Sequence, residues 1–334
     1  MLKESFEILL VTYNRKAYLE HTLQQLLAAD SPVKEVSITI LDNCSTDGTS
    51  ELIDTFCTKY PNLKHIRHAR NIGGNANIAR AFELAQKEYF WVLADDDDYD
   101  FTHWDEVEKE MKKKTGLIVV NREYLPKEQK NFQPWDFLRF LTFMPAAIHR
   151  RDTLQEQDMM HIHYTVPLWF PHLAACIAAI NKRLPFCIVS DNIVLTGKNE
   201  HHDGVEYHRR TPGVAEPYKF SFFELNYIRV LALLEDKKLR SKAVDKFHWQ
   251  KQSFFKSALI ALCKENHRRY ENRLLNYLLP LPVFSTWQKI QFIAAAIYLN
   301  ILAFLLYPHF RKKRKEFEKK VEETVKNSSK ISYT

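Results

Sequence analysis

Hydrophobic runs that end in short polar clusters alternate with helix-period segments over the first hundred residues. "FEILLVTYN" (6–14) reads as a buried strand ending in polar residues. Leu19, Leu23, Leu26 and Leu27 in "KAYLEHTLQQLLAA" recur at helical spacing. "EVSITILDN" (35–43) alternates as a second strand, and "STDGTSELIDTFCTKY" opens with Ser and Thr cap candidates and predicts a helix. "LKHIRHA" predicts a short third strand, "NIGGNANIARAFELAQK" a glycine turn running into a helix, and "EYFWVLADDDD" a fourth strand. This β-α-β-α-β-α-β order predicts an α/β fold with a mostly parallel sheet and covering helices. In such sheets ligands gather at the carboxyl ends of the strands. The polar clusters Thr12-Tyr13-Asn14, Asp42-Asn43, Asn71 to Asn77 and Asp95 to Asp98 would then share one edge.

Beyond Asp98 the pattern loosens. "FTHWDEVEKEMKKK" and "PWDFLRFL" predict helices, "GLIVVNREYL" and "FCIVSDNIVL" (186–195) strands, and residues 166–183 an apolar helix. A polar, His-rich loop follows, and from Tyr218 the chain reads as helical, with no glycine after Gly213. Residues 290–307 form an apolar stretch with only Gln291 and Asn300 strongly polar, at the lower limit for a membrane span. The basic cluster Arg311–Lys315 comes directly after it. A full crossing would carry those charges away from the cytoplasmic side, so the expectation is a segment that dips into or lies on the inner leaflet, with the basic tail on anionic lipid. Burial of that helix on the main domain is the alternative.

Composition narrows the class. The chain has 334 residues, 46% hydrophobic and 27% charged, as in an ordinary globular protein. Five cysteines show no zinc-like or CxxC spacing, which argues against a disulfide framework and fits a reducing cytoplasm. The first residues, "MLKESFEILLVTYNR", lack the layout of a secretory leader. The net charge is +7, but residues 308–330 hold nine basic side chains against four acidic ones. With the excess in one tail, a nucleic-acid-binding face is not expected. Expected boundaries are 1–215 for the α/β domain, divided at 105/106, and 216–334 for a helical region with an apolar segment at 284–307 and a basic tail at 308–334.

Four adjacent carboxylates repel one another. At a strand end they suit a hard divalent cation, which takes oxygen ligands and can hold phosphates. "LLVTYNRKAYLEHTL", "ILDNCSTDGTSELI", "RNIGGNANIARAFELA" and "YFWVLADDDD" follow one another in the order and spacing of family 2 glycosyltransferases, which this chain resembles closely over about residues 4–105 and loosely to about 215. The resemblance implies a GT-A fold, a Rossmann-like domain. It also implies inverting transfer of a sugar from a nucleoside diphosphate, with UDP the expected nucleotide, and Mn²⁺ or Mg²⁺ on a DxD motif. The bacterial enzymes that build O-antigen, capsule or related surface glycans are the most similar.

Carried onto this sequence, the resemblance places Thr12, Tyr13 and Asn14 at the base and ribose, and Asp42 at the uracil or ribose. Gly73-Gly74 and Asn75 would lie where the backbone passes the donor. Arg80 faces either a phosphate or solvent. Asp95 and Asp97 form the DxD pair, Asp96 turns toward the donor, and Asp98 is the extra acidic residue of the turn. His202, in the loop "EHHDGVEYHRR", is a candidate further metal ligand, with Arg209 and Arg210 near the leaving diphosphate. An inverting transfer also needs a base to deprotonate the acceptor hydroxyl. The family's "ED" pair has no counterpart in "HIHYTVPLWFPHLAACIAAINKR". His172, His163, Asp158 and Asp191 are the candidates.

The expected function is therefore a metal-dependent transferase at the cytoplasmic face of the inner membrane, acting on a saccharide or lipid-linked saccharide. The alternatives are a non-catalytic glycan- or nucleotide-sugar-binding homologue, or a nucleotidyltransferase on a related fold.

Overall fold

The structure, a computed structural model, describes residues 2–123, 125, 131–195, 226–245, 283–290, 293, 294 and 297. A short helix, α1 (Leu2–Ser5), leads into β1 (Phe6–Thr12), α2 (Lys16–Leu26), β2 (Ser37–Asp42), α3 (Thr49–Lys59), β3 (Leu63–Arg67), α4 (Gly74–Leu84) and β4 (Tyr89–Leu93). Then come β5 (Asp98–Tyr99), α5 (Trp104–Lys112), β6 (Leu117–Val119), α6 (Pro134–Phe137), β7 (Ala147–Arg150), α7 (Glu156–Tyr164), α8 (Pro171–Asn181), β8 (Phe186–Ile188) and β9 (Val194–Leu195). A further helix spans Lys237–Asp245.

Among the described residues, seven strands make one sheet in the order β3-β2-β1-β4-β7-β6-β8. β1, β2, β3 and β4 are mutually parallel, as the alternation of strands and helices requires. β7 is antiparallel to both β4 and β6, while β8 runs parallel to β6. β6 and β8 therefore point the same way as β4. The stretch expected as one strand over 186–195 divides into β8 and β9, broken by a bend at 190–192. β9 leaves the main sheet to pair with β5, immediately after the aspartate run.

The central strands are buried on both faces, which is why they read as continuous apolar runs. Phe6, Ile8 and Leu10 of β1 and Tyr89, Trp91 and Leu93 of β4 pack with Leu19 and Leu23 of α2, Ile53 of α3 and Val107 of α5. The alternate residues Leu9, Phe90 and Val92 pack with Ala79 and Phe82 of α4, Ile162 of α7 and Ala175 of α8. The result is a sheet between two helical layers. Its rigidity fixes the loops at the carboxyl edge.

The chain divides into two compact units. Residues 1–204 with 226–246 form one, and 205–225 with 247–334 the other. In the first, Asn181 at the end of α8 bonds the backbone of Leu233 and Glu235. In the second, the described residues include a helical turn at 286–290. Residues 196–225, with His202, Arg209 and Arg210, lie outside the described residues, as do 298–334 with the basic tail.

Candidate active site at the carboxyl edge of the sheet

Register brings the sequence clusters together. Thr12 is paired with Asp42, and Asp42 with Arg67, across β1, β2 and β3. Leu10 is paired with Leu93, which sets Thr12 level with Asp95. Thr12 Oγ1 donates to Asp95 Oδ2 at 2.6 Å. The side chain of Arg15, at the N-cap of α2, reaches across the same edge: its Nη1 lies 3.0 Å from Asp95 Oδ1 and 2.6 Å from Asp96 Oδ2. Burial pushes the Asp95 carboxyl up to about 6, against the pull of the Arg15 guanidinium, and neighbouring Asp96 adds to the rise.

The four aspartates have four different surroundings. Asp95 is held by Thr12 and Arg15. Asp96 is half-buried and shares Arg15. Asp97 is buried, and its carbonyl accepts from Gln25 Nε2. Asp98 Oδ1 lies 2.9 Å from His21 Nε2, and the Tyr99 N–H donates to Gln25 Oε1. α2 thus braces the run from both ends. Repulsion within the run is relieved by Arg15, shared between Asp95 and Asp96, and by His21 at Asp98.

Asp42 is fully buried. It accepts from the Ser45 N–H at 2.8 Å and from the Ser50 hydroxyl. His65 Nε2 and Arg67 Nε lie 3.8 and 3.5 Å from its Oδ2. Burial raises its pKa, but His65, Ser45 and Ser50 outweigh that and hold it well below the usual carboxylate range. Its oxygens face the protein, where they shape the loop after β2. Groups presented outward at this edge are the exposed ring of Tyr13 and the 71–74 turn. Asn14 sits at φ 50°; its Oδ1 accepts from the Thr46 N–H and its own N–H donates to Ser45 Oγ, tying the first loop to the second. Asn43 bonds Asn71 and the Ile72 N–H, tying the second to the third.

In the third loop Gly73 has φ 89°, a conformation that favours glycine. A Cβ added at Gly74 would meet no atom within 4 Å, so the chain itself leaves that space open. Asn75 follows, half-buried in the first turn of α4. Arg80 lies on α4 and pairs with Glu83, the arrangement of a surface helix arginine.

The four candidate bases separate. α7 starts at the foot of the sheet, because Arg151 N donates to the carbonyl of Glu88, which precedes β4. α8 returns there: Lys182 bonds the Thr153 carbonyl and Asp158 Oδ2. Asp158 therefore closes the first turn of α7 at the edge opposite the aspartate run, and the structure does not bring it to the site. His163 is exposed in the last turn of α7. Asp191 is exposed in the bend between β8 and β9, at the carboxyl edge. His172 is buried in the first turn of α8, with Nε2 3.0 Å from the Thr142 carbonyl. A carbonyl can only accept, so Nε2 carries the proton and Nδ1 holds the lone pair. Burial depresses this ring to about 4, partly opposed by the Thr142 contact.

The family model described as Glycosyl transferase family 2 matches residues 7–170. That stretch is a family 2 glycosyltransferase domain. It is similar to abequosyltransferase RfbV of Salmonella typhimurium, 37% identical over 87 residues, which cover 26% of this chain and 26% of the relative. It is also similar to poly(ribitol-phosphate) beta-N-acetylglucosaminyltransferase TarS of Staphylococcus aureus, 35% identical over 95 residues, or 28% of this chain and 16% of that protein. The matches thus span about a quarter or less of the relatives' own lengths. Among solved structures, S. aureus TarS 1-349 superposes with a TM-score of 0.57 at 16% identity, covering 88% of this chain and 90% of that one. The same protein in complex with UDP-GlcNAc gives 0.55. The shared architecture is the GT-A fold.

Among the described residues of the transferase domain, no three His, Cys, Asp or Glu side chains converge as a metal cluster. That is compatible with Mg²⁺ or Mn²⁺ chemistry of the usual kind, where one or two carboxylates and the substrate's phosphates share the ion. Asp96 and Asp97, adjacent at the strand end, fit such a partial set. Asp95 is engaged by Thr12 and Arg15, and Asp96 by Arg15 as well. Arg15, His21 and Gln25 are residues that sequence reasoning missed. The only signal was the placement of Arg15 directly after the first polar cluster, where a helix start would explain it equally well.

Proposed function

We propose that this protein transfers a sugar from a nucleoside-diphosphate donor to a saccharide or lipid-linked saccharide hydroxyl, in the synthesis of a bacterial surface glycan. The observation that carries this is the joining of β1 and β4 at their carboxyl ends through Thr12, Arg15 and Asp95 within a family 2 domain. Tyr13, Asn14 and the 71–75 turn receive the nucleoside, with UDP the expected nucleotide, and Asp42 shapes the loop that faces it. Asp97, with Asp95 or Asp96, holds Mn²⁺ or Mg²⁺. The ion, when bound, supplies charge for the leaving diphosphate. The test is transfer or donor hydrolysis across a panel of nucleotide sugars with Mn²⁺. Asp97→Asn should lower kcat at least about 100-fold without loss of folding. Binding and turnover of no nucleotide sugar would return the reading to a non-catalytic binding homologue.

His172 serves as the base in this proposal. It is buried in the first turn of α8, its tautomer leaves Nδ1 as the accepting atom, and its depressed pKa keeps it unprotonated at neutral pH. Its burial requires local opening toward the acceptor. Asp191 is the second reading, favoured by its exposure just beyond the carboxyl end of β8. Loss of a base costs about 10² to 10⁴ in rate. His172→Gln and Asp191→Asn, compared by kcat, distinguish the two.

Membrane contact belongs to the same proposal. Trp287, Ile290, Ile293 and Ile297 are all exposed and recur every three or four residues, and the Arg311–Lys315 cluster follows in sequence. Among the described residues no helix is long and apolar enough to cross a membrane. The occupant proposed for this apolar stripe is the surface of an anionic inner leaflet. Flotation with phosphatidylglycerol vesicles tests it; Trp287→Ser with Ile290→Ser should reduce co-flotation, and unchanged flotation would refute it.

A further inference from the structure

We infer that Arg15 is a positioning residue that competes with the divalent cation for Asp95 and Asp96, so that the metal binds tightly only together with the donor. This rests on the metal-dependent reading above.

The geometry is specific. The backbone of Arg15 is pinned at both sides: its N–H donates to Thr49 Oγ1 at 3.2 Å, and its carbonyl accepts from Leu19 N at 2.9 Å. From that fixed point the side chain crosses from the end of β1 to the end of β4. One guanidinium nitrogen contacts both carboxylates, and only 19% of the side chain is exposed. The guanidinium also lies 5.7 Å from the Tyr18 ring. It is a nearly buried cation set among the oxygens that the sequence marks for a metal.

A protein-borne cation there has two consequences. A lone divalent ion meets carboxylates whose charge is already partly compensated, and is repelled by the guanidinium at short range. A donor diphosphate reverses both effects. It brings negative charge and further oxygens for the ion, and it offers phosphate oxygens that the planar, two-pronged guanidinium can bind bidentately. Donor and metal therefore favour each other's binding, and Arg15 weakens capture of either site half by metal alone.

Mn²⁺ binding to the full chain, followed by electron paramagnetic resonance with and without saturating UDP and corrected for Mn²⁺–UDP in solution, tests this. Wild type should bind Mn²⁺ at least about tenfold more tightly with UDP. Arg15→Met should bind Mn²⁺ alone at least about tenfold more tightly than wild type, shrinking the UDP effect. Arg15→Lys, which keeps the charge, should retain the wild-type order. If Arg15→Met fails to fold, Arg15→Gln carries the same expectation. Unchanged or weaker Mn²⁺ binding by the uncharged variant overturns the inference. Absence of Mn²⁺ binding by wild type even with UDP overturns the metal reading itself, and the inference with it.

Discussion

Thr12 Oγ1 and Asp95 Oδ2 are 2.6 Å apart although 83 residues separate them in the chain. One hydroxyl joins the ends of the two central strands and fixes a buried carboxylate at the point where the polar loops meet. Thr12→Val keeps the shape and removes the donor. A buried acceptor left with one partner fewer costs about 1–3 kcal/mol. The expected outcome is a lower melting temperature and weaker UDP binding by calorimetry. A variant with wild-type melting and UDP affinity would show the bond to be dispensable.

The two glycines of the third loop should respond differently. At Gly73 the left-handed φ makes Gly73→Ala destabilising by about 1–2 kcal/mol. At Gly74 a methyl meets nothing in the protein, so Gly74→Ala should melt within about 1 kcal/mol of wild type. If the donor passes there, that variant raises the donor KM several-fold all the same. Equal donor KM values for Gly74→Ala and wild type would place the donor elsewhere.

His65 and His149 predict opposite pH dependences. His65 stands between Asp42 and Asp54, whose carboxylates raise its pKa against the effect of burial, with Asp42 the larger influence. The folded state binds its proton more tightly than the unfolded chain. Its contribution is therefore fully present below about pH 6.5 and is lost as pH rises through the elevated folded value. His65→Gln should destabilise at pH 5.5 and do so much less at pH 9. An equal effect at both would show no linkage through this ring.

At His149 the sign reverses. The ring stacks on Phe90, meets Phe82 edge-on and is buried; burial, with His172 adding, depresses it to about 3. The unfolded chain takes up this proton near pH 6.5 and the folded one does not. Stability is therefore present above about pH 6.5 and falls as pH drops toward about 3, by up to about 1.4 kcal/mol per pH unit. His149→Phe, which retains an aromatic ring against Phe90, should flatten the slope of urea-unfolding stability between pH 6.5 and 4.5. An unchanged slope would mean that His149 does not contribute.

The first four strands were legible because each is apolar, short and followed by polar residues, and because βα units leave little choice of direction. Convergence of Thr12, Asp42 and Asp95 followed from that order alone. β7 was not legible: "AIHR" is four residues with a histidine in the middle, and only packing against Phe82 and Phe90 makes His149 a core residue. The break in 186–195 was hidden as well, since Ser190 and Asn192 look like strand residues until Glu106 and the Arg122 N–H are seen to hold them. At the site, composition marked four aspartates but not their partners. Arg15, His21 and Gln25 reach them from α2, and no spacing rule connects residues about 80 apart. Asp158 shows the same limit in reverse: near enough in sequence to serve, it lies at the far edge because α7 begins there.

The pairing of β1 with β4 also constrains how the protein is born. β1 leaves the ribosome early and finds β2 within some thirty residues, but its other neighbour is synthesised only after Glu88. Until then the backbone N–H and C=O groups on that edge of β1 have no strand partner, and the hydroxyl of Thr12 has no carboxylate to hold. Such non-local parallel pairing is slow and leaves strand edges exposed in the meantime. A nascent chain halted near residue 85 would be a client for chaperones, and release past Asp98 would let the candidate site edge form.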